Sequence, residues 1–139
     1  MKTRYHLLAW LQAWIATLGS LFFSEIMHFT PCVLCWYQRI FMYPLVFILS
    51  IGILRKDKNL PYYVLPLSIT GLLIALYHNL LYYGIIPEVV RCAIGVSCKT
   101  RFFAWFGFIT IPLLSFIAFT VISACMIALL KSHKPLSDK

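Results

Sequence analysis

The chain has 139 residues, of which 62% are apolar and only 12% are charged, and its mean hydropathy is +0.88. These values exclude a soluble globular domain and predict a membrane protein. The formal net charge is +8, but the basic residues flank apolar runs instead of clustering on one polar face, so no nucleic-acid partner is expected.

The first predicted element is a membrane span over about residues 7–27. A cleaved signal peptide is the competing interpretation, but its apolar region would be about 7–15 residues long and would end at a small-residue cleavage site. Here the apolar run continues from Leu7 to Phe23 and is followed by Ser24-Glu25. We therefore expect an uncleaved first span.

Three further spans are predicted, over about residues 36–54, 63–83 and 103–130. Pro44 lies inside the second span and predicts a kink there. Pro112 interrupts the fourth span.

Four spans fit into one membrane domain over residues 1–139, because about 20 residues suffice to cross a bilayer. The predicted fold class is all-α, a polytopic membrane protein with a four-transmembrane-helix bundle. The predicted outer loops cover residues 28–35 and 84–102, and a charged turn at 55–59 joins the second and third spans.

Four spans place both termini on one side of the membrane, and the basic residues are divided unequally between the two sides. The larger group, on the side of the termini, is Lys2, Arg4, Arg55, Lys56, Lys58, Lys131, Lys134 and Lys139. The smaller group, on the opposite side, is Arg39, Arg91, Lys99 and Arg101. The positive-inside rule then predicts cytoplasmic termini and a multi-pass protein of the cell membrane.

With this orientation, four of the five cysteines lie at the outer face, namely Cys32, Cys35, Cys92 and Cys98. The outer compartment is oxidising, so this distribution is typical of disulfide chemistry. The fifth, Cys125, falls within the last apolar span without a polar companion and is interpreted as a packing residue.

The segment that joins the first two spans combines two thiols, a helix-start signal and a charge. Thr30 suits a helix N-cap and Pro31 the first helical position, so Cys32 would lie in the first turn, where the helix dipole favours a thiolate. Cys35 and Arg39 are four residues apart, so the guanidinium can lie over that sulfur or over an acceptor beside it. By itself, the Cys-x-x-Cys spacing leaves redox, metal and structural roles open.

A second cysteine pair, Cys92 and Cys98, lies in the other predicted outer loop. Two pairs at one membrane surface suit a relay, in which a thiolate attacks a disulfide, forms a mixed disulfide and is released by the second thiol. Electrons taken from thiols need an acceptor, and a pair located where a helix enters lipid can reach a lipid-soluble one. A quinone of the membrane pool fits that position.

The motif CVLCWYQRI at residues 32–40, followed by Tyr43-Pro44, resembles the signature of the DsbB family of membrane disulfide-formation proteins, in the short BdbC type of Gram-positive bacteria. The resemblance extends over essentially the whole chain. It implies a quinone-dependent oxidoreductase that reoxidises an extracytoplasmic thioredoxin-like partner of the DsbA or BdbD type and so supports disulfide formation in exported proteins. The Gram-positive resemblance favours menaquinone as the cofactor, with ubiquinone as the alternative.

The resemblance also implies roles for individual residues. Cys92 and Cys98 would oxidise the partner. Cys32 and Cys35 would reoxidise that pair and pass two electrons to the quinone. Arg39 would bind and polarise the quinone, stabilising the charge that develops on it.

His78 matches in position a family histidine near the quinone, and polar residues within spans are usually functional. The alternative for His78 is a structural hydrogen bond within the bundle. Gln38 stands where some family members have an acid, so a role of that acid does not carry over. Five residues separate Cys92 from Cys98, fewer than in the proteobacterial type, so rearrangements of a long mobile loop are not expected to carry over.

Three other functions are kept as alternatives. A thiolate metal-binding or transport module would resemble Cys₄ zinc sites, but the second pair is too widely spaced and no acidic or histidine-rich path crosses the membrane, so no metal site is predicted. A vitamin K epoxide reductase-like quinone reductase also has two cysteine pairs, but in the reverse order along the chain. A non-enzymatic subunit with structural disulfides is the third alternative.

Overall fold

The structure, a computed structural model, describes residues 2–28, 33–87, 104–105 and 109–133. Thr30, Pro31 and Cys32, with the helix start predicted on them, lie outside the described residues, and so do Cys92 and Cys98.

Four long helices make up most of the described chain. They are α1 (Lys2–Leu21), continued by a π-helical segment (Phe22–Ile26), α2 (Val33–Arg55), α3 (Leu60–Tyr82) and α4 (Ile111–His133). Two strands of two residues each, β1 (Ala104–Trp105) and β2 (Ile109–Thr110), pair antiparallel just before α4. Every helix is long and apolar enough to cross a membrane. The predicted all-α fold with four membrane-spanning helices is therefore confirmed.

The start of the fourth helix differs from the prediction. The apolar run from about residue 103 was expected to be helical and to be interrupted by Pro112, but its described part contains the paired strands, and α4 begins at Ile111. Pro112 is the second residue of the helix, where a missing N–H costs nothing because first-turn N–H groups have no partner within the helix. Pro112 thus belongs to the start of α4 and does not interrupt it.

Neighbouring helices run antiparallel and close into a ring, because each helix packs mainly against the next and α4 packs back against α1. Trp10, near the start of α1, donates a hydrogen bond from Nε1 to Oγ of Ser50, near the end of α2, at 2.7 Å. Ser123 of α4 donates to Ser68 of α3 at 3.0 Å. Each of these bonds joins points at the same depth in the bundle.

The helices α2 and α3 are each followed by a residue with positive φ. The turn between α2 and α3 spans only residues 56–59, with Lys56 at a φ of +51° and the Asp57 carboxylate accepting from the Asn59 N–H at 2.8 Å. After α3, Gly84 has a φ of +75° and the Ile85 N–H donates to the carbonyl of Leu80, a helix end that glycine favours.

The apolar core lies inside the ring of helices. Its largest fully buried side chains include Phe119, Leu45, Leu49, Leu60, Ile122 and Met126. A Cβ at Gly71 would collide with the ring of Phe119, so this glycine allows α3 and α4 to approach closely. Many large apolar side chains instead point outward, such as Phe47 and Leu54, as expected of helices that face lipid.

Candidate functional site at the polar end of the bundle

The antiparallel order brings together the end of α1 with its π-helical segment, the start of α2, the end of α3 and the start of α4. We call this the polar end, because it holds most of the polar side chains that reach across helices. They are Ser20, Ser24, Gln38, Arg39, His78, Asn79 and Ser115. Of the residues predicted to form the site, Cys35, Arg39 and His78 are described, and all three lie at this end.

Arg39 reaches from α2 to the end of α1. Its Nε donates to Ser20 Oγ at 2.9 Å, Nη1 donates to Ser24 Oγ at 3.3 Å, and Nη2 donates to the carbonyl of Ser20 at 3.1 Å. A guanidinium carries five N–H donors, so one donor on each terminal nitrogen is not used by these bonds. Arg39 is therefore a half-buried cation with a fixed orientation and donors to spare for a ligand.

The aromatic ring of Trp36 lies beside the same guanidinium. The Cζ atom of Arg39 is 5.6 Å from the ring centroid, within the range of a cation–π interaction. Trp36 itself is exposed, so the ring and the guanidinium together border the surface of the bundle.

Cys35 is half-buried one helical turn before Arg39, where it packs against the buried pair Leu34 and Leu81 together with Tyr77. The guanidinium, predicted to lie over the Cys35 sulfur or over an acceptor beside it, makes hydrogen bonds to Ser20 of α1 and to Ser24 of the π-helical segment. The sequence contained a signal for these bonds, because Ser20 and Ser24 lie four residues apart at the end of an otherwise apolar span.

A second group of polar side chains joins three helices. The side-chain amide nitrogen of Gln38 lies 3.0 Å from His78 Nδ1, and Ser115 Oγ donates to Gln38 Oε1 at 2.6 Å. Gln38 is 6% exposed and His78 only 2%. Gln38 thus joins α2 to α3 and α4 through its two hydrogen bonds, although no role was carried over to it from the resemblance. Ser115 was not identified from the sequence.

Asn79 fixes the start of α4 against the end of α3. Its side-chain nitrogen donates to the carbonyl of Ala75 at 2.8 Å and to the carbonyl of Pro112 at 2.9 Å, while its buried Oδ1 has no hydrogen-bond partner among the described residues. The carbonyl of Pro112 lies three residues before Ser115. Asn79 therefore helps to set the depth at which Ser115 meets Gln38.

The remaining cysteine that the structure describes, Cys125, lies in the apolar core. Within the described ranges, no three His, Cys, Asp or Glu side chains lie together as they would around a metal ion, and these ranges do not include Cys32, Cys92 or Cys98. Chemically, the polar end offers the Cys35 sulfur, a cation with N–H donors that its bonds to Ser20 and Ser24 do not use, and a buried imidazole.

Comparisons with known proteins find similarity over nearly the whole chain. The family model described as Disulfide bond formation protein DsbB matches residues 2–129. No solved structure matches the chain.

Several relatives are similar over nearly their full length. Disulfide bond formation protein C of Bacillus subtilis is 49% identical over 141 residues, covering 96% of this chain and 99% of the relative. Probable disulfide formation protein C of Bacillus cereus is 47% identical over 133 residues, covering 94% and 96%. The SPbeta prophage-derived disulfide bond formation protein B of Bacillus subtilis is 47% identical over 143 residues, covering 99% and 96%.

Proposed function

The chain belongs to the DsbB family of disulfide bond formation proteins, and from this premise we propose that it passes electrons from the thiols of a partner protein to a membrane quinone. Membership of the family makes it a disulfide-generating membrane oxidoreductase. The partner, the electron acceptor and the residues that carry the electrons are what we propose. The partner is a thioredoxin-like extracytoplasmic protein of the DsbA or BdbD type.

The proposed electron route uses both cysteine pairs. The disulfide of Cys92 and Cys98 breaks as the disulfide of the partner forms, so the partner loses two electrons and two protons to this pair. The disulfide of Cys32 and Cys35 then reoxidises Cys92 and Cys98 by a second exchange of the same kind. Cys32 and Cys35, reduced in this exchange, would return to a disulfide by giving two electrons and two protons to a bound quinone, which would supply the electron sink.

The observation that carries the proposal is the meeting of Cys35, Arg39 and His78 at one end of a membrane bundle. A quinone presents two carbonyl oxygens, which are hydrogen-bond acceptors, and the donors at the polar end suit such a ligand. Arg39 would hold a quinone oxygen with the N–H donors that Ser20 and Ser24 do not take, and its charge would stabilise the negative charge that develops there. The resemblance implies that His78 would be the second polar residue near the quinone.

The charge distribution supports an outward-facing polar end. The basic residues Arg4, Arg55, Lys56, Lys58 and Lys131 lie at the opposite end of the bundle. Positive residues favour the cytoplasmic side, and this supports a polar end at the outer face of the cell membrane, where it could meet an extracytoplasmic partner. An impermeant thiol reagent applied to intact cells after reduction is expected to label Cys35 or Cys32, and labelling only after lysis would contradict this orientation.

The electron route is tested with the purified protein in detergent, mixed with a reduced thioredoxin-like partner and a quinone, while quinone absorbance is followed. We expect reduction of the quinone by the wild type and none by Cys35→Ala. Cys125→Ala is the matched control, because this cysteine lies in the apolar core, and it is expected to retain activity. Quinone reduction that is unaffected by Cys35→Ala would exclude the proposed route.

The same assay identifies the acceptor. Menaquinone is expected to give the higher kcat/KM, as the resemblance to the short Gram-positive type implies. A preference for ubiquinone under matched conditions would assign the other member of this cofactor class.

A further inference from the structure

A groove lies between α1 and α2 at the end of the bundle opposite the polar end. We call it the α1–α2 groove; it is lined by Leu7 and Trp10 of α1 and by Ser50, Ile53 and Leu54 of α2, and its volume is about 230 Å³. Leu7 is 46% exposed and Leu54 is 83% exposed. The groove therefore opens on the outer surface that these membrane-spanning helices turn to lipid.

The lining of the groove has no free hydrogen-bond donor. Trp10 Nε1 donates to Ser50 Oγ at 2.7 Å, and this hydroxyl donates to the carbonyl of Val46, also at 2.7 Å. The other lining side chains are aliphatic. The volume is also below the roughly 300–1,000 Å³ typical of sites that enclose a small molecule. The groove therefore suits a segment of hydrocarbon chain, and not a polar head group.

Two hydrogen bonds fix the relative depth of α1 and α2. Trp10 meets Ser50, and further along α1 Ser20 meets Arg39, which comes earlier in α2 by nearly the same number of residues. The two helices therefore run antiparallel in step, one residue of α1 against one residue of α2. This register places Arg4 level with the last residue of α2.

Three exposed cations, Arg4, Arg55 and Lys56, thus lie at one level beyond the groove. Arg4 precedes Leu7 by three residues, so the two share a face of α1, and Arg4 lies about 4.5 Å further along the helix axis. Asp57 is the one acid in the adjoining turn, and its carboxylate accepts from a backbone N–H at 2.8 Å. The preference for positive residues on the cytoplasmic side explains cations at this end, but not an apolar groove directly beneath them.

We propose that the α1–α2 groove binds an acyl chain of an anionic phospholipid, whose phosphate is held by Arg4 and Arg55. From Leu7 to Trp10 the groove lies about 4.5–9 Å below the level of Arg4, where the upper part of an acyl chain follows its head group. The chain covers apolar surface of both helices, and the phosphate meets the cations. The lipid thus joins α2 to α1, which has the smallest buried share of the four spans.

The test uses the purified full chain in detergent, freed of lipid, and native mass spectrometry during titration with phosphatidylglycerol or with phosphatidylcholine of the same acyl chains. We expect one phosphatidylglycerol to bind, and phosphatidylcholine to bind about 25-fold more weakly. Each basic residue near anionic lipid contributes about five-fold, equivalent to about 1 kcal/mol. Equal affinity for the two lipids would overturn the proposal.

The cations are tested one at a time. Arg4→Gln and Arg55→Gln should each weaken the binding of phosphatidylglycerol about five-fold and leave that of phosphatidylcholine unchanged. Lys131→Gln is the matched control, because it removes an exposed cation at the same end of the bundle but on α4, and it should change neither affinity. An equal effect of all three substitutions would show attraction to the whole basic end and would contradict a site at the groove.

The groove is tested without changing the charge. Leu7→Trp places an indole in the space of the acyl chain, so both lipids should bind about five-fold more weakly. Leu18→Trp, the same change at an exposed position of α1 outside the groove, should bind both lipids like the wild type. Unchanged binding of phosphatidylglycerol by a folded Leu7→Trp protein would overturn the proposal. Lipid binding is measured without quinone or partner, so its outcome is independent of the proposed function.

Discussion

Around Gly71 and Phe119, in the apolar core, the helices meet through apolar surfaces, whereas at the polar end they are joined by side chains that reach across from one helix to the next. In the core, the ring of Phe119 fills the space that Gly71 leaves, and the hydrogen bond between Ser68 and Ser123 links only two helices. At the polar end, Arg39 alone makes three bonds, two to Ser20 of α1 and one to Ser24 of the π-helical segment. Substitutions in the core should therefore alter stability, and substitutions at the polar end should alter the reaction with the electron acceptor.

The largest effect is expected for Arg39→Ala. Removing a donor aimed at developing charge costs about 100-fold or more in comparable sites, so kcat/KM for quinone should fall by about that factor. Partner exchange, measured by trapping the mixed disulfide, should not change. Arg4→Ala, which removes an exposed arginine at the opposite end, is the control. An unchanged quinone dependence would show that Arg39 does not contact the acceptor.

Gly71→Ala should give the clearest loss of stability. The added methyl group collides with the ring of Phe119, and overpacking of this kind costs about 1–3 kcal/mol. The free energy of unfolding can be measured by titration with a denaturing detergent. Gly19→Ala is the matched control, because nothing lies within 4 Å of a Cβ at that position. Equal stability of the two variants would contradict close packing between α3 and α4.

The double variant Ser20→Ala/Ser24→Ala should have a smaller effect on the acceptor. Arg39 would keep its charge and its bond to the carbonyl of Ser20 but lose both hydroxyl partners. Loss of these hydrogen bonds, worth about 1 kcal/mol, should raise the KM for quinone about five-fold. Ser50→Ala, which removes a serine hydroxyl bonded to Trp10, serves as the control. A KM equal to that of the wild type would mean that the hydroxyls of Ser20 and Ser24 do not orient the guanidinium.

The smallest effect is expected for Ser68→Ala. A hydrogen bond between membrane helices contributes about 0.6 kcal/mol on average, so the unfolding titration should shift only slightly. Quinone reduction should match the wild type, since Ser68 lies outside the polar end. A marked loss of quinone reduction in a stable Ser68→Ala protein would remove the distinction between the two regions.

The four membrane-spanning helices could be predicted from the sequence because long apolar runs are compatible with few other structures. Arg39 and His78 could also be singled out, since polar groups within an apolar span are costly. The start of α4 was predicted wrongly because hydropathy alone does not separate an apolar strand from an apolar helix. Pro112 would have been the better signal for the start of α4, because proline is favoured in the first turn of a helix.

The partners of these side chains could not be predicted from the sequence. Helices that are apolar all round carry no periodic polar face, so the pattern does not give the rotation of one helix against another. The bonds from Arg39 to Ser20 and from Gln38 to Ser115 depend on that rotation and on the relative depth of the helices. The roles of Cys32, Cys92 and Cys98 stay predictions, because these residues lie outside the described part of the chain.

Ser115 belongs to the last of the four helices, although the residues that it supports come from the second and third. During synthesis, a nascent chain with only its first three helices inserted already has Gln38 and His78 but lacks the Ser115 hydroxyl that bonds to Gln38. This contact can form only after the final helix has entered the bilayer. A chain that stalls before that step would carry Cys35 in its second helix while Gln38 lacked one of its two side-chain partners.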